Sequence, residues 1–239
     1  RKLAENRSIK ANLEEMRRYF DLPKLPERIE IYDNSHNQGT YAVGAMVVAT
    51  PEGFDKKSYR TFNIKDQTIT NDDFAMMKEV LKRRFDRMAP DNRPDVILLD
   101  GGLGQLHAVH ESLSGYDLSG ISIIAISKGV DRNAGKEFYH QLGKESFALP
   151  YRSSIAFYLQ TLRDEAHRFA IGTHRKRRAK SMTKSSLDDI EGIGAKRKKD
   201  LLNHFGSVAA IKDASVEDIA KVVGINKKTA ENIYNYFHK

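Results

Sequence analysis

Two segments of the chain end alike: an apolar, β-like run closes on an aspartate that is followed at once by small or polar residues. Arg28-Ile29-Glu30-Ile31-Tyr32-Asp33 leads into Asn34-Ser35-His36, and Pro94-Asp95-Val96-Ile97-Leu98-Leu99-Asp100 leads into Gly101-Gly102-Leu103-Gly104-Gln105. A carboxylate at the end of a buried strand is held by the sheet yet faces solvent, which is what a metal ligand or catalytic group requires. If the strands are neighbours, the two can share metal, and two-metal nucleases use such carboxylates to hold ions about 3.5–4 Å apart. Asp33 and Asp100 are the leading ligands. Either one alone would more often be a turn former, so the weight rests on the pair together with the basic remainder of the chain.

Other residues could join them. Asp72 and Asp73 open a helix, where the ordinary role is N-capping; one can cap while the other points inward. His167 sits in Arg163-Asp164-Glu165-Ala166-His167-Arg168, a helix with apolar neighbours, but His36, His140 and His174 compete with it and spacing does not choose among them. Gly101-Gly102-Leu103-Gly104-Gln105 lacks the Gly-Lys-Ser/Thr ending of a phosphate loop, so no nucleotide cofactor is expected. Its glycines read as a tight strand exit that leaves Asp100 unobstructed.

The remaining composition narrows the class. The 239 residues suffice for one α/β domain and a small second one, and 40% apolar content supports a core. Cysteine is absent, so any metal is held by oxygen and imidazole. No run approaches the roughly 18 apolar residues of a membrane span, and the charged start Arg1-Lys2-Leu3-Ala4-Glu5 is unlike a signal peptide; a cytoplasmic protein is expected. A net charge of +8 favours a polyanionic partner. Arg175, Lys176, Arg177, Arg178, Lys180 and Lys184 supply most of that excess within residues 172–184, with no acid among them.

The pattern predicts a helix and proline linker over 1–27, an α/β domain over 28–171, a basic linker over 172–185 and a helical domain over 186–239. Within the first domain, strands are expected at 28–33, 40–50, 57–64, 94–100 and 121–127, with a hairpin over 138–149. Helices are expected at about 74–88, 105–113 and 153–170. Three meander strands, then helix, strand, helix, strand and a late helix fit a ribonuclease H-like mixed sheet flanked by helices.

Residues 186–239 contain a repeat. Leu187, Ile190, Gly192, Ile193, Leu201 and Phe205 recur as Ile219, Val222, Gly224, Ile225, Ile233 and Phe237, each displaced by 32. Each copy reads as a short helix, a glycine turn and an amphipathic helix whose first N–H groups face an anion. Lys196 and Arg197, and Lys227 and Lys228, put cations beside those turns. Two copies are too few for a solenoid and form a compact pair. The module resembles a tandem helix-hairpin-helix domain, which grips DNA backbone without reading sequence. On that resemblance Gly192, Ile193, Gly194, Lys196, Arg197, Gly224, Ile225, Lys227 and Lys228, with Arg175 and Arg178 from the basic segment, are the expected DNA contacts. Asn226 stands where the first copy has Gly194.

Six segments together resemble the C-terminal half of the UvrC family, the nuclease subunit of bacterial excinuclease ABC. They are Ile31-Tyr32-Asp33-Asn34-Ser35-His36, Tyr59-Arg60-Thr61-Phe62-Asn63-Ile64, Asp72-Asp73-Phe74-Ala75-Met76, Ile97 through Gln105, Arg163 through Arg168, and His174 through Arg178. The resemblance implies a metal-dependent endonuclease, using Mg²⁺ or Mn²⁺, that makes the 5′ incision at a DNA lesion in nucleotide excision repair within the SOS response. It implies metal-binding roles for Asp33 and Asp100, an active-site role for His167, and a further catalytic aspartate at Asp73, which directly precedes Phe74-Ala75-Met76. Implied partners are damaged double-stranded DNA and, in the full-length protein, a UvrB–DNA complex. Asn34 replaces the apolar residue usual in the first motif. The rival readings are a non-catalytic, structure-specific DNA-binding module and a ribonuclease H-like nuclease acting on RNA hybrids or junctions.

Overall fold

A computed structural model describes residues 2–37, 40–64, 67–69, 72–129, 137–183 and 186–238. The chain divides into two compact units, Arg1–Arg175 and Lys176–Lys239.

The first unit is built on a mixed sheet. In chain order its elements are α1 (Lys2–Tyr19), β1 (Ile29–Asn37), β2 (Thr40–Thr50), β3 (Gly53–Phe54), β4 (Arg60–Asn63), α2 (Asp73–Phe85), β5 (Val96–Asp100), α3 (Leu103–Ser112), β6 (Ser122–Lys128), β7 (Glu137–His140) and α4 (Ser154–Thr183), whose residues beyond Arg175 fall in the second unit. The strand order is β3-β2-β1-β5-β6-β7, with β4 also paired to β2. β1, β5 and β6 are mutually parallel; the remaining pairings are antiparallel.

Side-chain alternation along the strands makes two cores. Ile29 and Ile31 of β1 and Val96 and Leu98 of β5 bury against Leu13, Met16 and Phe20 of α1 and Ile155, Leu159, Leu162 and Ala166 of α4. Tyr32 of β1 and Ile97 and Leu99 of β5 face the other way, onto Met76, Met77, Val80 and Leu81 of α2 and Leu106 and Val109 of α3. Gly44 of β2 lets α2 lie close, since a Cβ there would come within 2.3 Å of Val80 Cγ2.

Several sequence expectations are corrected. The strand expected over 57–64 is split: Asp55 caps a 3₁₀ turn at Lys56–Ser58, accepting from Lys57 N, and only Arg60–Asn63 pairs. α2 ends at Phe85, three residues short of Met88. The hairpin over 138–149 reduces to β7 and a single Tyr139–Phe147 bridge, with Gly143 in the left-handed region at φ 72°. The last helix does not stop near Ala170. α4 continues through the segment expected as a basic linker to Thr183, so residues 172–183 are helical. Gly172 is tolerated within the helix, and the Arg, Lys and Ala residues that follow it are strong helix formers.

The second unit holds a 3₁₀ turn at Ser186–Asp189, α5 (Ala195–Phe205), α6 (Val208–Asp213), α7 (Val216–Ala220) and α8 (Lys227–Phe237). Leu187, Ile190, Ile193 and Leu201 bury in one core with their repeats Ile219, Val222, Ile225 and Ile233. The two turns match bond for bond: Ile193 N donates to Ile190 O at 3.1 Å and Ile225 N to Val222 O at 3.0 Å. Gly192 and Gly224 both take positive φ, 89° and 84°, which is why the repeat keeps glycine at these positions.

Candidate active site and nucleic-acid interface

The strand register brings the two aspartates together. β1 and β5 pair in parallel with Ile31 opposite Leu98 and Tyr32 opposite Leu99, so Asp33 and Asp100 are the next residues on adjacent strands. Alternation then assigns their face: Ile29, Ile31 and Asp33 point one way, as do Val96, Leu98 and Asp100, and that way is toward α4.

α4 answers each carboxylate with one side chain. His167 Nδ1 lies 2.9 Å from Asp33 Oδ2, and Arg163 Nη2 donates to Asp100 Oδ1 at 2.6 Å. Burial pushes the Asp33 carboxyl above its ordinary pKa; the His167 hydrogen bond opposes this and the charge of Asp100 adds to it. Ionised Asp33 therefore costs stability. Because the folded-state pKa is raised, the favourable contribution is present at low pH and is lost as pH rises through the folded value. In metal-free buffer at neutral pH, Asp33→Asn is expected to raise the melting midpoint by a few degrees, given that about 1 kcal/mol moves it roughly 2–4 °C at this size. An unchanged or lowered midpoint in a calorimetric scan would remove the claim of repulsion.

Asp72 and Asp73 separate cleanly. Asp72 is the N-cap of α2, accepting from Phe74 N and Ala75 N at 3.0 Å each. Asp73 begins the helix, and its carbonyl accepts from Asn34 Nδ2 at 3.2 Å, so the unusual Asn34 ties β1, which runs on past the expected stop at Asp33 to Asn37, to the start of α2. Asn34 Oδ1 is buried without a hydrogen-bond partner among the described residues.

His140 has other partners. His140 is buried between Ser127 Oγ at 2.8 Å and Ser146 Oγ at 2.6 Å, and burial lowers its pKa. The side chains of His36 and His174, like those of Arg175 and Arg178, lie outside the described residues. Gly101 is explained by packing: a Cβ there would fall 1.5 Å from Oε1 of the buried Gln105.

Two carboxylates side by side where the parallel β1–β5 pairing ends, the pKa of Asp33 raised first by burial and further by the charge of Asp100, are a donor set that a hard dication suits. Among the described residues no group of three or more His, Cys, Asp or Glu side chains is gathered as a metal site. His167, expected as a third ligand, is engaged with Asp33 through Nδ1. Sequence reasoning gives no role to Arg163 and Glu137, although the spacing of Arg163 and His167, four apart on one helix face, is available as a signal.

In the second unit the expected contacts fall into distinct groups. Gly192, Gly194, Lys196, Gly224, Lys227 and Lys228 are exposed around the turns. Ile193 and Ile225 are 8% and 6% exposed and anchor the turns from within the core. Arg197 is engaged in the protein: Nη1 donates to Gly192 O at 2.7 Å and Nε to Gly224 O at 2.9 Å. Asn226 has nearly the backbone conformation of Gly194, and its side chain accepts from Thr229 N at 2.8 Å, whereas α5 starts without a side-chain cap.

The fold and site define a ribonuclease H-like nuclease domain followed by a helix-hairpin-helix pair. Residues 17–171 match the family model described as the UvrC RNAse H endonuclease domain, and residues 184–239 match that of a SAM-like helix-hairpin-helix tandem. The chain belongs to the UvrC RNase H endonuclease domain family. It is 53% identical over its full extent to UvrABC system protein C of Zymomonas mobilis, covering 37% of that protein. It is 51% identical to UvrABC system protein C of Hyphomonas neptunium, of which it covers 40%, and 52% identical to that of Maricaulis maris, of which it covers 39%. The chain thus spans well under half the length of these relatives. Among solved structures, Ciona intestinalis endonuclease V bound to inosine-containing DNA is 13% identical, with a TM-score of 0.39 over 72% of this chain and 98% of that one. So distant a likeness carries no argument.

Proposed function

We propose that this chain is the nuclease and DNA-gripping part of an excision-repair endonuclease that makes the 5′ incision at a lesion with Mg²⁺ or Mn²⁺. The observation that carries the reading is the pair Asp33 and Asp100, side by side where the parallel pairing of β1 with β5 ends and facing one helix that brings an imidazole to the first of them. Asp33 and Asp100 would hold the dication, which when bound would supply acidification of water and stabilisation of charge on the scissile phosphate. His167 donates from Nδ1 to Asp33, which leaves Nε2 as the nitrogen that accepts a proton from the attacking water. Asp73, at the start of α2 beside β1, is the additional acid for the 5′ cut. Family membership supports an endonuclease, and the name UvrABC system protein C carried by the relatives supports lesion choice by partner proteins, UvrB among them.

The second unit supplies sequence-independent affinity through Gly192, Gly194, Lys196, Gly224, Lys227 and Lys228, with Arg175 and Arg178 adding charge. Replacing Lys196, Lys227 and Lys228 together by Ala is expected to weaken binding equally across sequences. It should also reduce the slope of log affinity against log salt by about 1 for each lysine that touches a phosphate. A fluorescence-anisotropy salt series with an unchanged slope would place the grip elsewhere.

The decisive assay is nicking of damaged duplex, RNA–DNA hybrid and bubble substrates, with and without UvrB. Cutting of damaged duplex 5′ to the lesion, dependent on UvrB and on added dication, is the expected result. Preference for the hybrid would favour the ribonuclease reading. Salt-sensitive binding that survives EDTA, with no nicking under any metal, would leave only a DNA-binding module.

A further inference from the structure

Arg163 has no part in the reading above, yet it is more firmly built into the site than His167. The two lie one turn apart on α4, so they leave the helix on the same face, and each meets one of the two carboxylates. Their surroundings differ: the His167 side chain is 63% exposed and that of Arg163 only 6%. Glu137, at the start of β7, holds Arg163 Nη1 while Asp100 holds Nη2. Arg163 Nε is buried with no hydrogen-bond partner among the described residues. Guanidinium groups are seldom buried with an N–H unsatisfied, and breaking even from such burial takes favourable charges on several sides.

We propose that Arg163 is a positioning residue that acts as a resident cation of the site, fixing Asp100 through Oδ1 and filling with its charge the place of a second divalent ion. The inference rests on the nuclease reading, because it takes Asp33 and Asp100 as ligands of a dication. With Oδ1 held, Asp100 keeps Oδ2 for that ion. A second ion bridged through Oδ1 would have to displace the bond from Arg163, and a dication brought beside a fixed guanidinium is repelled. Glu137 balances the guanidinium charge. Without Arg163, Asp100 and Glu137 would form an unneutralised carboxylate pair facing the vacated space, a site that suits a hard cation.

The test is Mn²⁺ binding to the whole chain, read from the electron paramagnetic resonance signal of the free ion and from titration calorimetry. The wild-type chain is expected to take up one ion, Arg163→Met two, and Arg163→Lys, which restores a positive charge, one. One ion in Arg163→Met overturns the proposal, and so do two ions in both variants, which would trace the effect to lost packing. Glu137→Gln guards against misfolding of the first variant, because it keeps the guanidinium and its bond to Asp100 but removes the balancing charge. It is expected to weaken Mn²⁺ binding roughly tenfold; unchanged affinity overturns the proposal. A wild-type chain that binds no Mn²⁺ would defeat the nuclease reading itself, whereas one ion in both wild type and Arg163→Met would defeat only this inference.

Discussion

Asp33→Asn is expected to abolish nicking, by about 1,000-fold or more, which corresponds to about 4 kcal/mol of transition-state stabilisation. Asparagine has nearly the shape of aspartate, so the strand, the register with β5 and the packing against α4 survive the change. What disappears is the charge that holds a dication beside Asp100. Folding is not the cause of the inactivity, because the substitution relieves a carboxylate that burial and Asp100 disfavour. Binding to DNA should stay within about twofold, since the glycine turns and lysines of the second unit are untouched. Single-turnover nicking alongside an affinity measurement separates the two properties. Retained cutting would remove Asp33 from the catalytic centre, and a parallel collapse of affinity would mean that the site holds DNA rather than cutting it.

Arg84→Met is expected to destabilise the first unit by about 3–5 kcal/mol. Glu30 lies on the opposite face of β1 from Asp33, with a fully buried carboxylate. Arg84 of α2 donates to it from Nη2 at 2.7 Å and from Nε at 3.2 Å, Tyr32 Oη donates at 2.6 Å, and Arg28 reaches it from the rim. Removing Arg84 leaves the charge buried with two weaker companions and also frees Asn92 O, which Arg84 Nη2 meets at 2.6 Å. Arg28 remains, which puts the effect toward the lower end of the range. Urea unfolding followed by far-ultraviolet circular dichroism measures it. A variant within about 1 kcal/mol of wild type would mean that Arg28 and Tyr32 suffice. The pair also has a bearing on the site, because it pins the C-terminal part of the helix whose first residue is Asp73.

Much of this is legible in the sequence because it depends on local pattern. Apolar runs ending in aspartate identify the strands of Asp33 and Asp100, and alternation along β1 and β5 carries both carboxylates to one face. Glycine at 192 and 224 is demanded by positive φ, so the repeat is visible as spacing. What stays hidden depends on partners far apart in sequence. The tasks of Arg163 and Arg197 are set by groups that no periodicity reveals: Asp100 and Glu137 for one, and the carbonyls of two separate turns for the other. The turn motif marks Ile193 and Ile225 as DNA contacts, but the turn is built by burying them. Charge density alone marks residues 172–183 as linker, although their Arg, Lys and Ala residues favour a helix. Asp72 and Asp73 cannot be separated without the capping geometry, since either type and position suits an N-cap.

The reach of Arg197 to both Gly192 and Gly224 makes the tandem a lopsided structure with a twofold pattern. Thr229 occupies the corresponding place in the second copy, buried at 7% exposure and too short to return the brace. Two identical copies would each aim a guanidinium at the same pair of turns, and the like charges would compete for the same carbonyls. The duplicated unit avoids that conflict by giving the brace to one half and the self-capped helix start to the other. Neither half is therefore a complete module, and exchanging the two copies in sequence order would not yield an equivalent domain.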